Sequence, residues 1–238
     1  MSIVSLIDHA VLHPTQTDVD LRTACAMCAK LGVASVCVKP SMVPLAAELL
    51  AGSKTVPSTV IGFPHGGTST ECKVRETEVA CAQGAREVDM VVNVGRVLAE
   101  DWEYVASDIR GVNESATTAG VITKVIFETG LLPSDDLKQR LCAICEQVGV
   151  AFVKTSTGFG FVKDANGALV STGATEHDVR LMRKHCSDKV QVKASGGIRS
   201  YADAQRFVAL GATRLGTSGT QAIAQGEQGE QTTSTESY

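Results

Sequence analysis

The chain has 238 residues, a length typical of one large domain or two smaller ones, and 44% of them are hydrophobic, enough to bury a sizeable core. A formal net charge of −4, with 22 lysine and arginine residues, argues against a large nucleic-acid-binding surface. This ordinary globular composition also excludes disordered, collagen-like and membrane-spanning chains.

The compartment is predicted from the cysteines and from the first residues. Eight cysteines are scattered through apolar runs of a chain too long to depend on a disulfide framework, so we expect reduced thiols. The opening MSIVSLIDHAVLHP carries no basic leader and meets Asp8 after a very short apolar run. We therefore expect a cytoplasmic protein.

Short apolar, β-branched runs alternate with longer segments of helical period, which is the pattern of strand–helix repeats and a parallel sheet. The eight predicted strands span 4–9, 34–39, 58–63, 86–93, 121–128, 151–157, 190–195 and 213–218. Predicted helices between them include 18–31, 68–83, 135–148, 175–185 and 201–210. Thr175 with Asp178 three residues on resembles a capping box, and Gly32 and Gly149 fall where helices should end.

Eight strands in this length predict a single α/β domain, a (β/α)8 TIM barrel over residues 1–225. An open sheet with fewer strands is the alternative. Residues 226–238 are polar and almost without aliphatic side chains, so we expect a flexible C-terminal tail there.

Two lysines interrupt strands that should be buried: Lys154 in AFVKTSTGF and Lys193 in VQVKASGGI. Desolvation and mutual repulsion both oppose charging two neighbouring buried amines, so one of them should have a low pKa. A neutral lysine amine can attack a carbonyl and form a Schiff base. One such lysine alone would more simply face solvent, but two in adjacent strands favour a reactive pair.

Charged residues in two other runs could complete the site. Asp89 lies within EVDMVVN, and strand alternation places Asn93 on the same side, so an inward carboxylate could balance the lysines or shuttle protons. Its role could equally be that of a structural counter-ion. Lys124 and Glu128 share one face of the fifth run, either within this network or as an ordinary ion pair near its rim.

Two glycine-rich turns follow the last two predicted strands. Ser195-Gly196-Gly197 and Gly216-Thr217-Ser218-Gly219 each lead towards a helix, where backbone N–H groups can hold an anion. Because barrels often bind phosphate after strands seven and eight, we predict a phosphate site here.

Other motifs are weak. Cys25-x-x-Cys28 and Cys142-x-x-Cys145 lie in helical segments where small thiols pack well, and His9 with His13 lacks a helical metal-binding context. The sequence contains no GxGxxG dinucleotide motif and no Walker loop. We expect neither a metal nor a cofactor.

Taken together, LIDHAVL, SVCVKP, TVIGFP, GAREVDMVVN, KVIFETG, FVKTSTGFG, VKASGGIR and GATRLGTS resemble the deoxyribose-phosphate aldolases, class I Schiff-base enzymes on a (β/α)8 barrel. The resemblance covers about residues 3–225. It implies reversible cleavage of 2-deoxy-D-ribose 5-phosphate to acetaldehyde and D-glyceraldehyde 3-phosphate.

The resemblance also implies residue roles. Lys154 matches the Schiff-base lysine, Lys193 the neighbour that lowers its pKa, and Asp89 the carboxylate that relays protons. Matches to substrate- and phosphate-binding positions and their surroundings are Gly196, Gly197, Gly216, Ser218, Thr157, Asp8, Cys37 and Lys124. The implied partners are small phosphorylated sugars and aldehydes, without nucleic acid or membrane, and we leave a homodimer open.

Three features depart from the pattern or extend it. Phe159 stands where some members carry a lysine, which puts a role of that position in phosphate binding in doubt. The stretch 158–173 is long for a barrel loop and could form a lid. Tyr238 ends the chain, and some relatives end in a tyrosine that reaches the active site, although we expect an inert tail here.

Two alternative functions stay open. Another Schiff-base barrel aldolase, such as a transaldolase-like or fructose-bisphosphate-type enzyme, would share the buried lysine but need a larger donor pocket. A non-catalytic sugar-phosphate-binding protein would use the same glycine turns, but it would gain little from a buried free amine.

Overall fold

A computed structural model describes residues 2–229 and contains a closed barrel of eight parallel strands. Around the barrel the strand order is β1-β2-β3-β4-β5-β6-β9-β10, and β10 pairs with β1. The strands are β1 Ile7–Val11, β2 Ser35–Val38, β3 Val56–Ile61, β4 Glu87–Val91, β5 Ile122–Ile126, β6 Phe152–Lys154, β7 Phe161–Lys163, β8 Leu169–Ser171, β9 Gln191–Ser195 and β10 Arg214–Thr217. The predicted TIM barrel is confirmed, and the open-sheet alternative is wrong.

Helices connect the strands. Within residues 2–229 they are α1 Asp18–Leu31, α2 Val43–Leu49, α3 Thr70–Ala82, α4 Val94–Leu98, α5 Trp102–Thr118, α6 Asp135–Val148, α7 Glu176–His185, α8 Tyr201–Ala209 and α9 Thr220–Glu227. Of the segment 226–238 predicted as a tail, 230–238 lie outside the described residues, and Tyr238 with them.

The predicted strands overlap the eight barrel strands, with two corrections at loops. The strand predicted over 4–9 is wrong at its start, because Val4–Leu6 form a 3-10 turn and β1 begins at Ile7. The stretch 158–173, predicted as one long loop, contains the antiparallel hairpin β7–β8, with Phe161 opposite Ser171. The connection between β6 and α7 therefore contains a short hairpin within an otherwise irregular stretch.

Local signals for helix ends are confirmed. Gly32 and Gly149 end α1 and α6 with φ of 70° and 77°, left-handed values that glycine adopts without a steric penalty. The side chain of Thr175 caps α7 by accepting a hydrogen bond from the backbone N–H of Asp178 at 3.0 Å.

Strand alternation separates an apolar core from a polar barrel interior. In β4, Val88 and Met90 belong to the hydrophobic core, whereas Glu87 and Asp89 are buried polar residues of the same strand. Side chains of successive residues point to opposite faces, so the acidic residues share the face away from this core. The fold thus gathers charged side chains inside the barrel.

Two buried ion pairs lie outside the barrel, between helices. Lys73 of α3 donates to Asp108 of α5 at 2.5 Å and to the carbonyl of Val91 at 2.9 Å. Lys138 of α6 donates to Asp178 of α7 at 2.6 Å. In each pair one buried lysine has one buried carboxylate, which is the ordinary way to accommodate a charge in a core.

Candidate active site

Lys154 and Lys193 face the same carboxylate from adjacent strands. They are register partners in β6 and β9, and both are buried, with 3% and 1% of their surfaces exposed. Lys154 Nζ donates to Asp89 Oδ2 at 2.8 Å, and Lys193 Nζ donates to the same oxygen at 2.7 Å. Outward-facing lysines are therefore excluded.

Lys124 occupies the other oxygen of Asp89. Its Nζ donates to Asp89 Oδ1 at 2.7 Å and lies 2.7 Å from Glu87 Oε2 and 3.2 Å from Asp8 Oδ2. This settles the alternatives for Lys124: it belongs to the buried network, and it is not an ion-pair partner of Glu128, whose carboxylate accepts instead from Thr157.

Asp8 connects the lysines to an arginine. Its Oδ2 lies 2.5 Å from Lys193 Nζ, and its Oδ1 accepts from Arg214 Nη1 at 2.6 Å. Arg214 also donates to Glu87 Oε2 at 2.8 Å. The sequence reasoning missed Arg214 and Glu87, although Glu87 precedes Asp89 by two residues and Arg214 is the register partner of Lys193, so strand parity could have found both.

Asn93 does not join this network, contrary to the alternation argument. Strand β4 ends at Val91, and the Asn93 side chain instead caps α4 by accepting from the backbone N–H of Arg96 at 3.3 Å. Strand parity no longer applies once the chain has turned into a helix.

We call the connected charged residues the barrel-interior cluster. It has four basic side chains and three carboxylates: Lys124, Lys154, Lys193, Arg214, Asp8, Glu87 and Asp89. With every group ionised the cluster would carry one surplus positive charge in a buried space. Such a surplus is relieved when one amine releases its proton.

The amine that loses its proton most readily is that of Lys154. Burial lowers its pKa, and the Lys193 ammonium lowers it further, while Asp89 opposes both effects without reversing them. For Lys193 burial also favours the neutral amine, but Asp8 and Asp89 outweigh it and raise the pKa. The pKa values of the two neighbours therefore shift in opposite directions, that of Lys154 down and that of Lys193 up.

The two aspartates of the cluster stay ionised. Burial alone would raise the pKa of Asp89, but Lys124, Lys154 and Lys193 hold it well below its usual range. Burial likewise acts on Asp8, and Lys124, Lys193 and Arg214 reverse the effect and lower the pKa. Asp89 is therefore a carboxylate that can accept hydrogen bonds or a proton at the Lys154 amine.

Cys37 and Thr157 lie on opposite sides of the cluster. Cys37 is buried in β2, two residues after Ser35, whose hydroxyl donates to Asp8 at 2.7 Å, and burial raises the pKa of the Cys37 thiol. Thr157 follows β6, three residues after Lys154, and its hydroxyl accepts from the backbone N–H of Phe159 at 2.9 Å.

The glycines predicted to bind phosphate are at the ends of β9 and β10. Gly196 and Gly197 have φ of +90° and +81°, which a side chain would make strained. Gly216 lies within β10, where a Cβ atom would be 2.7 Å from Ser195 Cβ and 3.1 Å from Lys193 Cε. The missing side chain at Gly216 therefore leaves room for Lys193. Ser218 lies between β10 and α9.

Phe159 opens the segment that crosses this end of the barrel. Its ring packs edge-to-face on Phe63, with centroids 5.3 Å apart and planes at 80°. The far end of the segment reaches the β9 turn, where the N–H of Ala174 donates to the carbonyl of Gly196 at 3.1 Å. Hairpin β7–β8 thus lies in the connection between β6, which carries Lys154, and the end that contacts the predicted phosphate turn after β9.

The paired cysteines are packed in helices. Cys25 and Cys28 are buried in α1, and Cys142 and Cys145 in α6. Across residues 2–229, no group of three or more histidine, cysteine, aspartate or glutamate side chains is arranged to hold a metal ion.

Comparison with known proteins decides the family. DeoC/LacD family aldolases match residues 2–223. A deoxyribose-phosphate aldolase of Carboxydothermus hydrogenoformans is 45% identical over 94% of this chain and 94% of its own length. The chain belongs to the DeoC/LacD family of aldolases.

Solved structures agree with this aldolase in fold. A putative deoxyribose-phosphate aldolase from Coccidioides immitis has a TM-score of 0.88 and 36% identity, covering 95% of this chain and 85% of the other. The tetrameric deoxyribose phosphate aldolase from Aeropyrum pernix has a TM-score of 0.84 and 28% identity, covering 95% and 91%. Within residues 2–229 of the aldolase, no helix is long and apolar enough to cross a membrane.

Proposed function

We propose that this aldolase reversibly cleaves 2-deoxy-D-ribose 5-phosphate to acetaldehyde and D-glyceraldehyde 3-phosphate through a Schiff base on Lys154. The observation that carries the proposal is the pair of lysine amines on one Asp89 oxygen, at 2.8 Å and 2.7 Å, in a cluster with one surplus cation. Membership of an aldolase family and the lowered pKa of the buried Lys154 amine support the same chemistry.

Schiff-base formation uses the neutral Lys154 amine. The amine adds to the C1 aldehyde of the open-chain sugar, and the resulting carbinolamine loses water to give an iminium ion. Lys193 remains an ammonium held by Asp8 and Asp89, so it keeps Lys154 neutral. Asp89 accepts a proton as the carbinolamine forms and returns it when water leaves.

Carbon–carbon cleavage then follows from the iminium ion as an electron sink. The Asp89 carboxylate accepts the proton of the C3 hydroxyl, the C2–C3 bond breaks, and its electron pair forms an enamine on Lys154 while D-glyceraldehyde 3-phosphate departs. Protonation of the enamine at C2 and addition of water release acetaldehyde and restore the amine. Atoms and electrons balance without an added redox reagent.

The phosphate group is assigned to the glycine turns. Gly196 and Gly197 follow β9, and Ser218 precedes α9, so backbone N–H groups at this edge can approach an anion closely. Phe159 supplies an apolar ring where a lysine would offer charge, so phosphate recognition here depends on the turns rather than on that position.

The cell context is part of the proposal. All eight cysteines are free thiols, which a reducing cytoplasm maintains, and the substrates are small phosphorylated sugars and aldehydes. We further propose self-association, since a relative from Aeropyrum pernix is tetrameric. Light scattering coupled to gel filtration would measure the assembly, and a monomer at micromolar concentration would contradict it.

Reductive trapping tests the central assignment. Acetaldehyde with sodium borohydride should attach an ethyl group to Lys154, located by peptide mass spectrometry, and turnover of deoxyribose phosphate should be lost with it. Lys154→Met should abolish both, whereas Lys163→Met, which removes an exposed lysine of the hairpin, should leave both unchanged.

Three results would reject the proposal. The first is an ethyl group on another lysine with Lys154 unmodified. The second is cleavage of fructose bisphosphate with no turnover of deoxyribose phosphate, which would favour a different Schiff-base aldolase. The third is trapping without any turnover, which would favour a binding protein.

A further inference from the structure

Glu128 is a buried carboxylate next to the candidate site for which the mechanism above has no use. It follows β5, only 2% of its surface is exposed, and its backbone is left-handed, with φ 55° and ψ 57°. Residues with a Cβ atom rarely adopt this conformation. A glutamate retained in such a place needs interactions that hold it there.

Those interactions are hydrogen bonds to the turn after Lys154. Glu128 Oε2 accepts from the backbone N–H of Thr157 at 3.2 Å and also from the Thr157 hydroxyl. Backbone bonds fix the same neighbourhood, because the N–H of Thr129 donates to the carbonyl of Thr155 at 3.0 Å. Glu128 thereby links the end of β5 to the turn that carries Thr157.

The second carboxylate oxygen faces the base of the hairpin. Glu128 Oε1 accepts from the Thr172 hydroxyl at 3.5 Å, and a Cβ atom on Gly160 would be 3.0 Å from both Glu128 Cδ and Oε1. One side chain that starts just after β5 therefore lies against the turn after β6 and both ends of the β7–β8 hairpin.

An ordinary ion pair does not explain this placement. Among residues 2–229, no lysine, arginine or histidine nitrogen lies within 4.0 Å of the Glu128 carboxylate. Its partners are hydroxyl and amide donors, and burial raises the pKa of Glu128. The side chain therefore acts mainly as a hydrogen-bond acceptor, and the charge of Lys154 has a weaker effect on its pKa than burial and the Thr157 hydrogen bonds.

The hydrogen bonds of Thr157 show what Glu128 can control. A threonine hydroxyl has one donor and two acceptor sites. The donor is used on Glu128, and one acceptor site is used by the N–H of Phe159 at 2.9 Å. The one remaining site on the Thr157 oxygen is an acceptor. The Thr157 hydroxyl can therefore accept a hydrogen bond from a partner that donates, such as a hydroxyl of the sugar.

We propose that Glu128 is a positioning residue that orients the Thr157 hydroxyl to accept a hydrogen bond from a substrate hydroxyl, and that it holds the hairpin base in register with this turn. The inference rests on the proposed function, because it assumes that the sugar reaches Lys154. It assigns to Glu128 a part in recognising hydroxylated substrates, with no part in forming the Schiff base.

The test compares a sugar with an aldehyde that has no hydroxyl group. Glu128→Met keeps the side-chain length but removes the acceptor, and it should raise the KM for deoxyribose phosphate about 10-fold with a smaller change in kcat. Reductive trapping of acetaldehyde on Lys154 should keep its rate. Glu128→Gln retains a carbonyl acceptor, so its KM should stay within about threefold of the parent.

Thr157→Val provides the matched variant on the other side of the bond. It should reproduce the rise in KM, and adding Glu128→Met to it should produce little further change, because the two residues act as one unit. This pair also keeps the proposal testable if Glu128→Met alone does not fold.

Three outcomes would overturn the inference. An unchanged KM in Glu128→Met or in Thr157→Val is the first. The second is an equal loss of sugar turnover and acetaldehyde trapping in Glu128→Met, which would indicate general structural damage. Independent KM effects in the double variant are the third. By contrast, failure to trap acetaldehyde on Lys154 in the unmodified protein would refute the proposed function itself.

Discussion

Buried lysines occur in two regions of this aldolase, and their surroundings differ. Outside the barrel, Lys73 and Lys138 each have a buried carboxylate of their own, Asp108 and Asp178. Inside the barrel, Lys154 shares Asp89 with Lys193, and the whole cluster has four bases for three acids. Burial is common to both regions, whereas the surplus cation is found in the second.

This contrast indicates what makes a lysine nucleophilic. Lys73 is fully buried, with 0% of its surface exposed, yet it has two acceptors within 3 Å and no cationic partner among its hydrogen bonds. Lys154 has one acceptor, and a second ammonium competes for the same oxygen atom. The lowered pKa of Lys154 therefore reflects the neighbouring ammonium as well as burial.

The largest expected effect comes from removing the neighbouring ammonium. Lys193→Met leaves three bases and three carboxylates in the cluster, so Lys154 should retain its proton at neutral pH. We expect turnover of deoxyribose phosphate at pH 7 to fall about 100- to 1000-fold, with partial recovery as pH rises and the amine is freed. In rates measured from pH 5 to 9, the acid limb, which is the rise in rate with increasing pH, should lie at higher pH than in the unmodified protein.

The helix-pair lysines are the controls for this comparison. Lys73→Met and Lys138→Met each leave a buried carboxylate unpaired and should cost about 3–5 kcal/mol of folding stability. The acid limb of kcat/KM, measured on whichever of the two remains folded, should not move. If Lys193→Met keeps the parent pH profile, the surplus charge does not set the reactivity of Lys154.

A smaller shift of the acid limb is expected from removing Arg214, the cation of the barrel-interior cluster that does not pair with Asp89. Arg214 contacts Asp8 and Glu87 but forms no ion pair with Asp89 in the described residues. Arg214→Met also removes one positive charge, but farther from Lys154, so the acid limb should move up by less than in Lys193→Met. Equal shifts in the two variants would show that only total charge matters, and no shift would confine the effect to direct neighbours.

The sequence singled out Lys154, Lys193 and Asp89, which the structure brings together, because charges in apolar runs are conspicuous. Lys154, Lys193 and Asp89 each interrupt a hydrophobic strand. Alternation failed beyond the strand ends, at Asn93 and Glu128. Arg214 escaped notice because it stands at the first residue of its strand, where a charge looks like a loop residue. Arg214 is largely buried because the barrel closes around it, and no local sequence pattern predicts that closure.

The loops were harder to predict for a conformational reason. Glu128 reaches Thr157 through a left-handed residue, and no spacing rule anticipates such a turn for a glutamate. Hairpin β7–β8 did leave a signal, since Asn166-Gly167 lies between two short apolar segments and Gly167 has φ +80°. Its strands have only three residues each, too short for a period of two to stand out.

His9 extends the comparison to a buried base outside the charged cluster, and it gives the smallest expected effect. Its Nδ1 lies 2.8 Å from the Thr220 hydroxyl, and burial lowers its pKa from 6.5 to about 4. The unfolded chain therefore takes up this proton first as pH falls, so stability should decline between pH 6.5 and about 4. The loss from His9 should reach about 2 kcal/mol at pH 5, without any movement of the catalytic acid limb.

His9→Asn separates this contribution from the other groups that titrate in acid. The amide keeps a hydrogen-bonding partner for Thr220 but has no proton to gain, so urea unfolding at pH 7.5 and pH 5 should give a smaller difference for the variant than for the parent. Equal differences would mean that His9 is protonated in the folded chain. Burial without a nearby charge would then be too weak to keep the His9 imidazole neutral. The comparison of the two groups of buried lysines would in turn lose its example of a base shifted by burial alone.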